Sequence, residues 1–329
     1  MWTRRSLEVC VLLVVTLSMV VLLAFGVSAD PARIELHTIQ TATLTGEQFL
    51  TGATDGKPAT ISGELRIPRL GTDRLPAVIL IHGSGGVGAN VHRWAEELNG
   101  IGVSAFIVDT FTGRGILNTA TDQSQLHSLA MMVDAFRALD LLAKHPRVDS
   151  ARIGVMGFSK GGVTALYASV KRFQRLHSSA GVEFAAYLPF YAPCNTTYIE
   201  DEVVSDKPIR LFHGIADDWV PVAPCREYVE RLRRVGKDVK LFEYPDAYHA
   251  FDAHLLKAPL KIAQAQTGRR CRLEERAGGQ IVNRQTGQPF TLDDPCVERG
   301  ATVAYNAQAH AAALKDVREF LATTFKLNP

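Results

Sequence analysis

From about residue 60 onward the chain alternates short apolar runs with longer segments whose apolar positions recur every three or four residues. The runs at 59–67, 77–81, 103–108, 152–157, 184–189, 209–213 and 239–244 are rich in β-branched and apolar residues and predict strands, the first as one arm of a hairpin. Helices are predicted at 90–98 and at 124–143, where Leu126, Leu129, Val133, Phe136 and Leu139 share a stripe that ends at the breaker His145-Pro146. A helix over 161–171 follows the strand at 152–157, and one over 224–235 opens with Pro224 in its first turn and closes at Gly236. The last, over 309–325, carries Ala313, Leu314, Val317, Phe320 and Leu321 on one face. Strands that alternate with helices imply an α/β fold: a mostly parallel central sheet with helices on both faces. In such a sheet, ligands meet the carboxyl ends of the strands.

The start of the chain breaks this pattern. Arg4 and Arg5 precede an apolar run over 9–27 that ends in Val27-Ser28-Ala29 before Asp30-Pro31, the layout of a secretory signal peptide with a small-x-small cleavage site. The run is long for a signal, so an uncleaved membrane anchor at 9–27 is the alternative. In both cases residues 30–329 are expected outside the cytoplasm, secreted or periplasmic, as a single α/β domain with an insertion at about 255–306. Cys10 falls in the leader. Cys194, Cys225, Cys271 and Cys296 remain, an even set that suits two disulfides in an oxidising compartment. The favoured pairs are Cys194 with Cys225, which follow strands on one edge, and Cys271 with Cys296, which flank one polar insertion; free buried thiols are the other reading. With 47% hydrophobic residues and a formal net charge of +2, the chain can build a substantial core and offers no basis for nucleic-acid binding. No C-x-x-C pair or His/Cys cluster suggests a metal, and nothing calls for a cofactor.

Chemistry enters at Gly157-Phe-Ser-Lys-Gly161, where the strand at 152–157 turns into a helix. So sharp a turn excludes side chains two positions either side of Ser159, and Gly157 and Gly161 supply that room. The bare pattern is weak evidence; its strand and helix flanks give it weight. Ser159 then projects from the sheet edge as a candidate nucleophile, with the Lys160 N–H at the helix start as a candidate oxyanion donor. A hydroxyl needs a base, and the strand at 239–244 delivers His249 to the same edge, with His213, His254 and His82 as competitors. The strand at 209–213 delivers Asp217 or Asp218. The order Ser, Asp, His is that of the α/β-hydrolase triad. His82-Gly-Ser-Gly-Gly86, after the strand at 77–81, offers a second oxyanion N–H, that of Ser84 or else Gly83; without a following G-K-[ST] it does not resemble a phosphate cradle.

Together with Asp109-Thr-Phe-Thr-Gly-Arg-Gly115, Gly214-Ile-Ala-Asp217, Val220-Pro221 and Tyr248-His249-Ala-Phe251, these motifs resemble the dienelactone hydrolase family of α/β-hydrolases from about Gly63 to the C-terminus. The resemblance implies hydrolysis of a small-molecule ester or lactone, and it favours Asp217 over Asp218, four residues ahead of Pro221. The founding members use a cysteine nucleophile, so Ser159 marks a serine-type branch and weakens transfer of their substrate. Arg114 is a candidate for binding a substrate carboxylate or, equally, for a structural role. The insertion at 255–306 is a solvated loop pinned by a disulfide or a flap over the site. Loops 111–123, 191–206 and 255–306 are expected to shape the pocket. Two other function classes stay open: a prolyl-oligopeptidase-like peptidase, for which no propeller fits ahead of Gly63, and a catalytically silent binding protein.

Overall fold

The structure, a computed structural model, describes residues 31–179 and 181–327, so the expected leader at 1–29 lies outside the described residues. Among those described, no helix is long and apolar enough to cross a membrane. The strands in chain order are β1 (Arg33–Thr43), β2 (Lys57–Ile67), β3 (Leu75–Ile81), β4 (Ser104–Asp109), β5 (Val148–Phe158), β6 (Ala186–Phe190), β7 (Thr196–Thr197), β8 (Ile209–Gly214) and β9 (Val239–Tyr244), followed by β10 (Leu260–Thr267), β11 (Leu273–Glu275), β12 (Ile281–Asn283) and β13 (Glu298–Val303). The helices are α1 (Gly46–Thr51), α2 (Ala89–Gly100), α3 (Ser128–Ala143), α4 (Lys160–Tyr167), α5 (Lys171–His177), α6 (Ala223–Arg234) and α7 (Ala307–Phe325). The central sheet runs β1-β2-β4-β3-β5-β6-β8-β9. Its first two pairings, β1 with β2 and β2 with β4, are antiparallel and the rest are parallel.

Every residue of β3 is buried, as a strand covered on both faces requires. Its side chains alternate: Ala77, Ile79 and Ile81 face the apolar layer on the side of α3 and α4, while Val78 and Leu80 face the layer that holds Trp94 and Leu98 of α2 and, farther along, Val317 and Leu321 of α7. This two-layer core fixes the sheet and sets the carboxyl ends of β3, β5, β6, β8 and β9 along one edge.

Three of the expected elements differ from the sequence reading. The helix expected over 161–171 is two helices, because the chain at 168–170 pairs sideways instead. The Ser169 carbonyl accepts the Ser205 N–H at 2.7 Å, and the Ser169 hydroxyl donates to the Leu166 carbonyl at 2.6 Å. The helix expected over 124–143 starts at Ser128, where the His127 imidazole caps the Leu129 N–H, and 123–125 forms a separate turn capped by Asp122. The insertion is folded, not an open loop. Strands β10 and β13 pair with each other, and β11 pairs with β12 and, in parallel, with β7. The disulfides present are Cys194–Cys225, which ties the segment after β6 to the first turn of α6, and Cys271–Cys296, within the small core of the insertion.

Candidate active site

At the end of β5 the backbone of Ser159 is forced to φ 53° and ψ −111°, a conformation that costs a non-glycine residue about 1–3 kcal/mol. The glycines allow the turn. A Cβ on Gly157 would stand 1.9 Å from the Gly161 carbonyl oxygen, and one on Gly161 would stand 2.2 Å from that of Ile81. The Ser159 N–H donates to the Phe190 carbonyl at 2.9 Å, which anchors the elbow to β6.

The loops after β8 and β9 converge on this serine. The Ser159 hydroxyl lies 2.9 Å from Nε2 of His249, whose Nδ1 lies 2.7 Å from Oδ2 of Asp217. The other carboxylate oxygen of Asp217 accepts the N–H groups of Trp219 and Val220 at 2.9 and 2.8 Å. An Oδ2 this close to Nδ1 assigns the ring proton to Nδ1 and leaves Nε2 free to accept. Burial alone would push the Asp217 carboxyl up, but the charges and hydrogen bonds of His249 and His213 outweigh it and hold the group well below the usual carboxylate range. Trp219 and Tyr191 pack their rings against His249, with centroids 5.0 and 4.7 Å away.

Of the competing residues, His213, His82 and Asp218 have other occupations. His213 donates through Nε2 to the Val220 carbonyl at 2.7 Å, and His82 contacts the Gly83 carbonyl and the Thr110 N–H. Asp218 accepts both the N–H and the hydroxyl of Thr302, which pins the insertion beside the triad. Lys160 is the first residue of α4, so its N–H has no acceptor within the helix. Its ammonium is buried, which pushes its pKa down to about 7. Gly83 lies directly on the elbow: a Cβ there would be 3.3 Å from that of Ser159. The neighbouring Ser84 carbonyl is held by the Thr119 N–H at 2.8 Å.

Arg114 does not reach this site. Its guanidinium makes a two-pronged pair with the buried Asp134, at 2.8 and 2.9 Å, and also donates to the Thr43 hydroxyl and the Thr110 carbonyl. These contacts fit the structural one of its two expected roles and leave its guanidinium no free face for a substrate carboxylate. Sequence reasoning also passed over Tyr191, whose hydroxyl donates to the buried Asp252, itself hydrogen-bonded by Trp94. The aromatic run at 187–191 is its only signal.

Ser159 opens onto a cavity of about 600 Å³. Gln123, the segment 193–198, Trp219 and the insertion residues 266–269, 279–281 and 289–292 line it, so the three expected loops do build the pocket. The insertion roofs the cavity and is hydrogen-bonded to the loops around it. The Gln266 N–H donates to the Ala120 carbonyl, the Leu273 N–H to the Asn195 carbonyl, and the Thr267 hydroxyl to the Trp219 carbonyl. Away from the cavity, Glu35, His37 and His145 bring possible metal-ligand atoms within 4.8 Å of one another. Nδ1 of His145 accepts the Arg147 N–H at 3.2 Å and so lacks the proton that an imidazole ligating through Nε2 carries there. His145 is paired with Glu35 instead, its Nε2 3.0 Å from the carboxylate.

The parallel strands β4, β3, β5, β6, β8 and β9 under two helical layers, with a strained serine elbow between β5 and α4, define an α/β-hydrolase fold. The chain belongs to the dienelactone hydrolase family, whose family model matches residues 62–325. It is accordingly a hydrolase of carboxylic esters or lactones. It is 28% identical over 215 residues to a probable 2-oxo-3-(5-oxofuran-2-ylidene)propanoate lactonase of Bradyrhizobium sp, a match that covers 61% of this chain and 85% of that protein. A candidate dienelactone hydrolase from Klebsiella pneumoniae subsp. pneumoniae superposes with a TM-score of 0.56 at 15% identity, over 88% of this chain and 99% of that one. A dienelactone hydrolase-like promiscuous phosphotriesterase from metagenomic libraries gives 0.56 at 16%, over 88% and 98%. At these identities the two structures speak to the fold.

Proposed function

We propose that this chain cleaves a carboxylic ester or lactone through an acyl-enzyme formed on Ser159. His249 takes the Ser159 proton through Nε2 as Oγ attacks the carbonyl carbon, and returns it to the departing alcohol oxygen as the C–O bond breaks. A water molecule then attacks the acyl-enzyme, again giving its proton to His249, and the acid leaves as Oγ recovers its hydrogen. Asp217 holds the Nδ1–H tautomer and stabilises the imidazolium. The N–H groups of Lys160 and Ser84 receive the oxyanion. The observation that carries this reading is the unbroken hydrogen-bonded line from Asp217 through His249 to a serine on a strained elbow at the floor of a cavity. The two disulfides support the further reading that the protein works in an oxidising compartment after export.

The test is turnover of p-nitrophenyl esters by wild type and Ser159→Ala in parallel. The variant is expected to lose roughly a thousandfold or more in kcat. Wild type without ester turnover, or Ser159→Ala within about tenfold of wild type, would refute the proposal.

A further inference from the structure

We infer that the group bound in this cavity is uncharged, so that the preferred substrates are uncharged esters or lactones. The inference rests on the esterase reading of Ser159. Its basis is the disposition of the basic side chains on the cavity wall, which are Lys160, Arg269 and His127 among the described residues.

None of the three has a cation to spare. Nζ of Lys160 donates to the Thr119 hydroxyl at 3.2 Å and to the carbonyl oxygens of Gln123 and Leu126. Arg269 donates to the carbonyl oxygens of Asp218 and Gly300 and pairs through Nε with Glu298 at 2.7 Å. His127 accepts the Leu129 N–H on Nδ1 at 3.2 Å as the cap of α3, and a ring that accepts there lacks the second proton an imidazolium carries. Arg114, the residue read from sequence as a candidate carboxylate binder, is closed off with Asp134. The carboxylate on the wall is Glu47, which is exposed and adds negative charge.

The rest of the lining mixes apolar side chains, among them Val163, Leu273, Phe290 and Leu292, with uncharged polar ones such as Asn195 and Gln280. An alkyl or aryl group gains free energy by leaving water for such walls. A carboxylate would shed water with no free cation to receive it, and neutral hydroxyls and amides return less than an opposite charge would. The propanoate in the name of the Bradyrhizobium relative's substrate would meet that penalty here.

The experiment compares p-nitrophenyl hexanoate with mono-p-nitrophenyl adipate, whose acyl chains match in length and end in a methyl or a carboxylate. The expected result is kcat/KM at least about thirtyfold higher for the hexanoate at near-physiological ionic strength. Equal rates, or a preference for the adipate, would overturn the inference and leave the esterase reading standing. Turnover of neither ester, nor of p-nitrophenyl acetate, would overturn the esterase reading and the inference with it. Leu292→Arg places a cation on the same wall and is expected to narrow the hexanoate-to-adipate ratio by about tenfold. A folded Leu292→Arg with an unchanged ratio would overturn the claim that this wall sets the charge preference. If that variant does not fold, the wild-type pair alone decides.

Discussion

Replacing Asp217 by Asn isolates the part played by charge and tautomer at nearly constant shape. Oδ1 of Asp217 accepts two backbone N–H groups, from Trp219 and Val220, at 2.9 and 2.8 Å. The amide oxygen of an asparagine must stay there, because turning its NH₂ towards two donors would leave both unsatisfied in a buried site. The amide nitrogen then faces Nδ1 of His249 across the present 2.7 Å contact. A donor there turns Nδ1 into the acceptor and moves the imidazole proton to Nε2, where it points at Ser159. That tautomer cannot take the serine proton, and the imidazolium loses its counter-charge. The expected loss in kcat is about a thousand- to ten-thousandfold, or about 4–5.5 kcal/mol of transition-state stabilisation. Steady-state hydrolysis of p-nitrophenyl acetate reads it, with circular dichroism melting to show that the variant is folded. Asp218→Asn is the comparison and should stay within about threefold of wild type, because Asp218 binds Thr302 and not the imidazole. A folded Asp217→Asn within tenfold of wild type would refute the role given to this carboxylate.

Three further outcomes follow from the same contacts. Removing Cys194 and Cys225 together frees a bridge of sequence separation 31, which by loop entropy stabilises by about 3.7 kcal/mol; the expected fall in Tm is about 5–10 °C, and no change would mean the bridge does not form. Arg114→Gln strands the buried Asp134 and should cost about 3–5 kcal/mol in urea unfolding with an unchanged hexanoate-to-adipate ratio, whereas weaker binding of the adipate at full stability would restore a substrate role for Arg114. Lys160 has a folded pKa of about 7 against an ordinary 10.5, so between those values the unfolded chain binds more protons and stability rises with pH. Relative to Lys160→Met, wild type should gain up to about 1.4 kcal/mol per pH unit in that window, and a flat or opposite difference would contradict the burial of the ammonium.

The sheet was legible where burial on both faces leaves an apolar run, as in β3, β4 and β8. The strand β1 was not, because its sequence RIELHTIQTAT buries only Ile39 and owes its order to pairing along the whole length of β2. The insertion escaped for a related reason. Its core is Cys271, Leu273 and Cys296 with Ile281, Phe290 and Val297 around them, a set with no sequence period, drawn together by a disulfide. The three residues placed in line at the site could each be read because each follows a strand on the edge where the chemistry has to lie. Arg114 was open to misreading because its partner sits twenty residues on, in another element. One signal was available: Asp134 falls among Met131, Met132, Val133, Ala135 and Phe136, where a lone buried carboxylate demands a cation.

The most direct test of the serine mechanism is to react the purified protein with a fluorophosphonate, which phosphonylates an activated serine irreversibly, and to map the adduct by peptide mass. A single adduct on Ser159 is expected, absent from Ser159→Ala and slow to form in His249→Ala. An adduct on another residue, or none on protein that hydrolyses p-nitrophenyl esters, would contradict it.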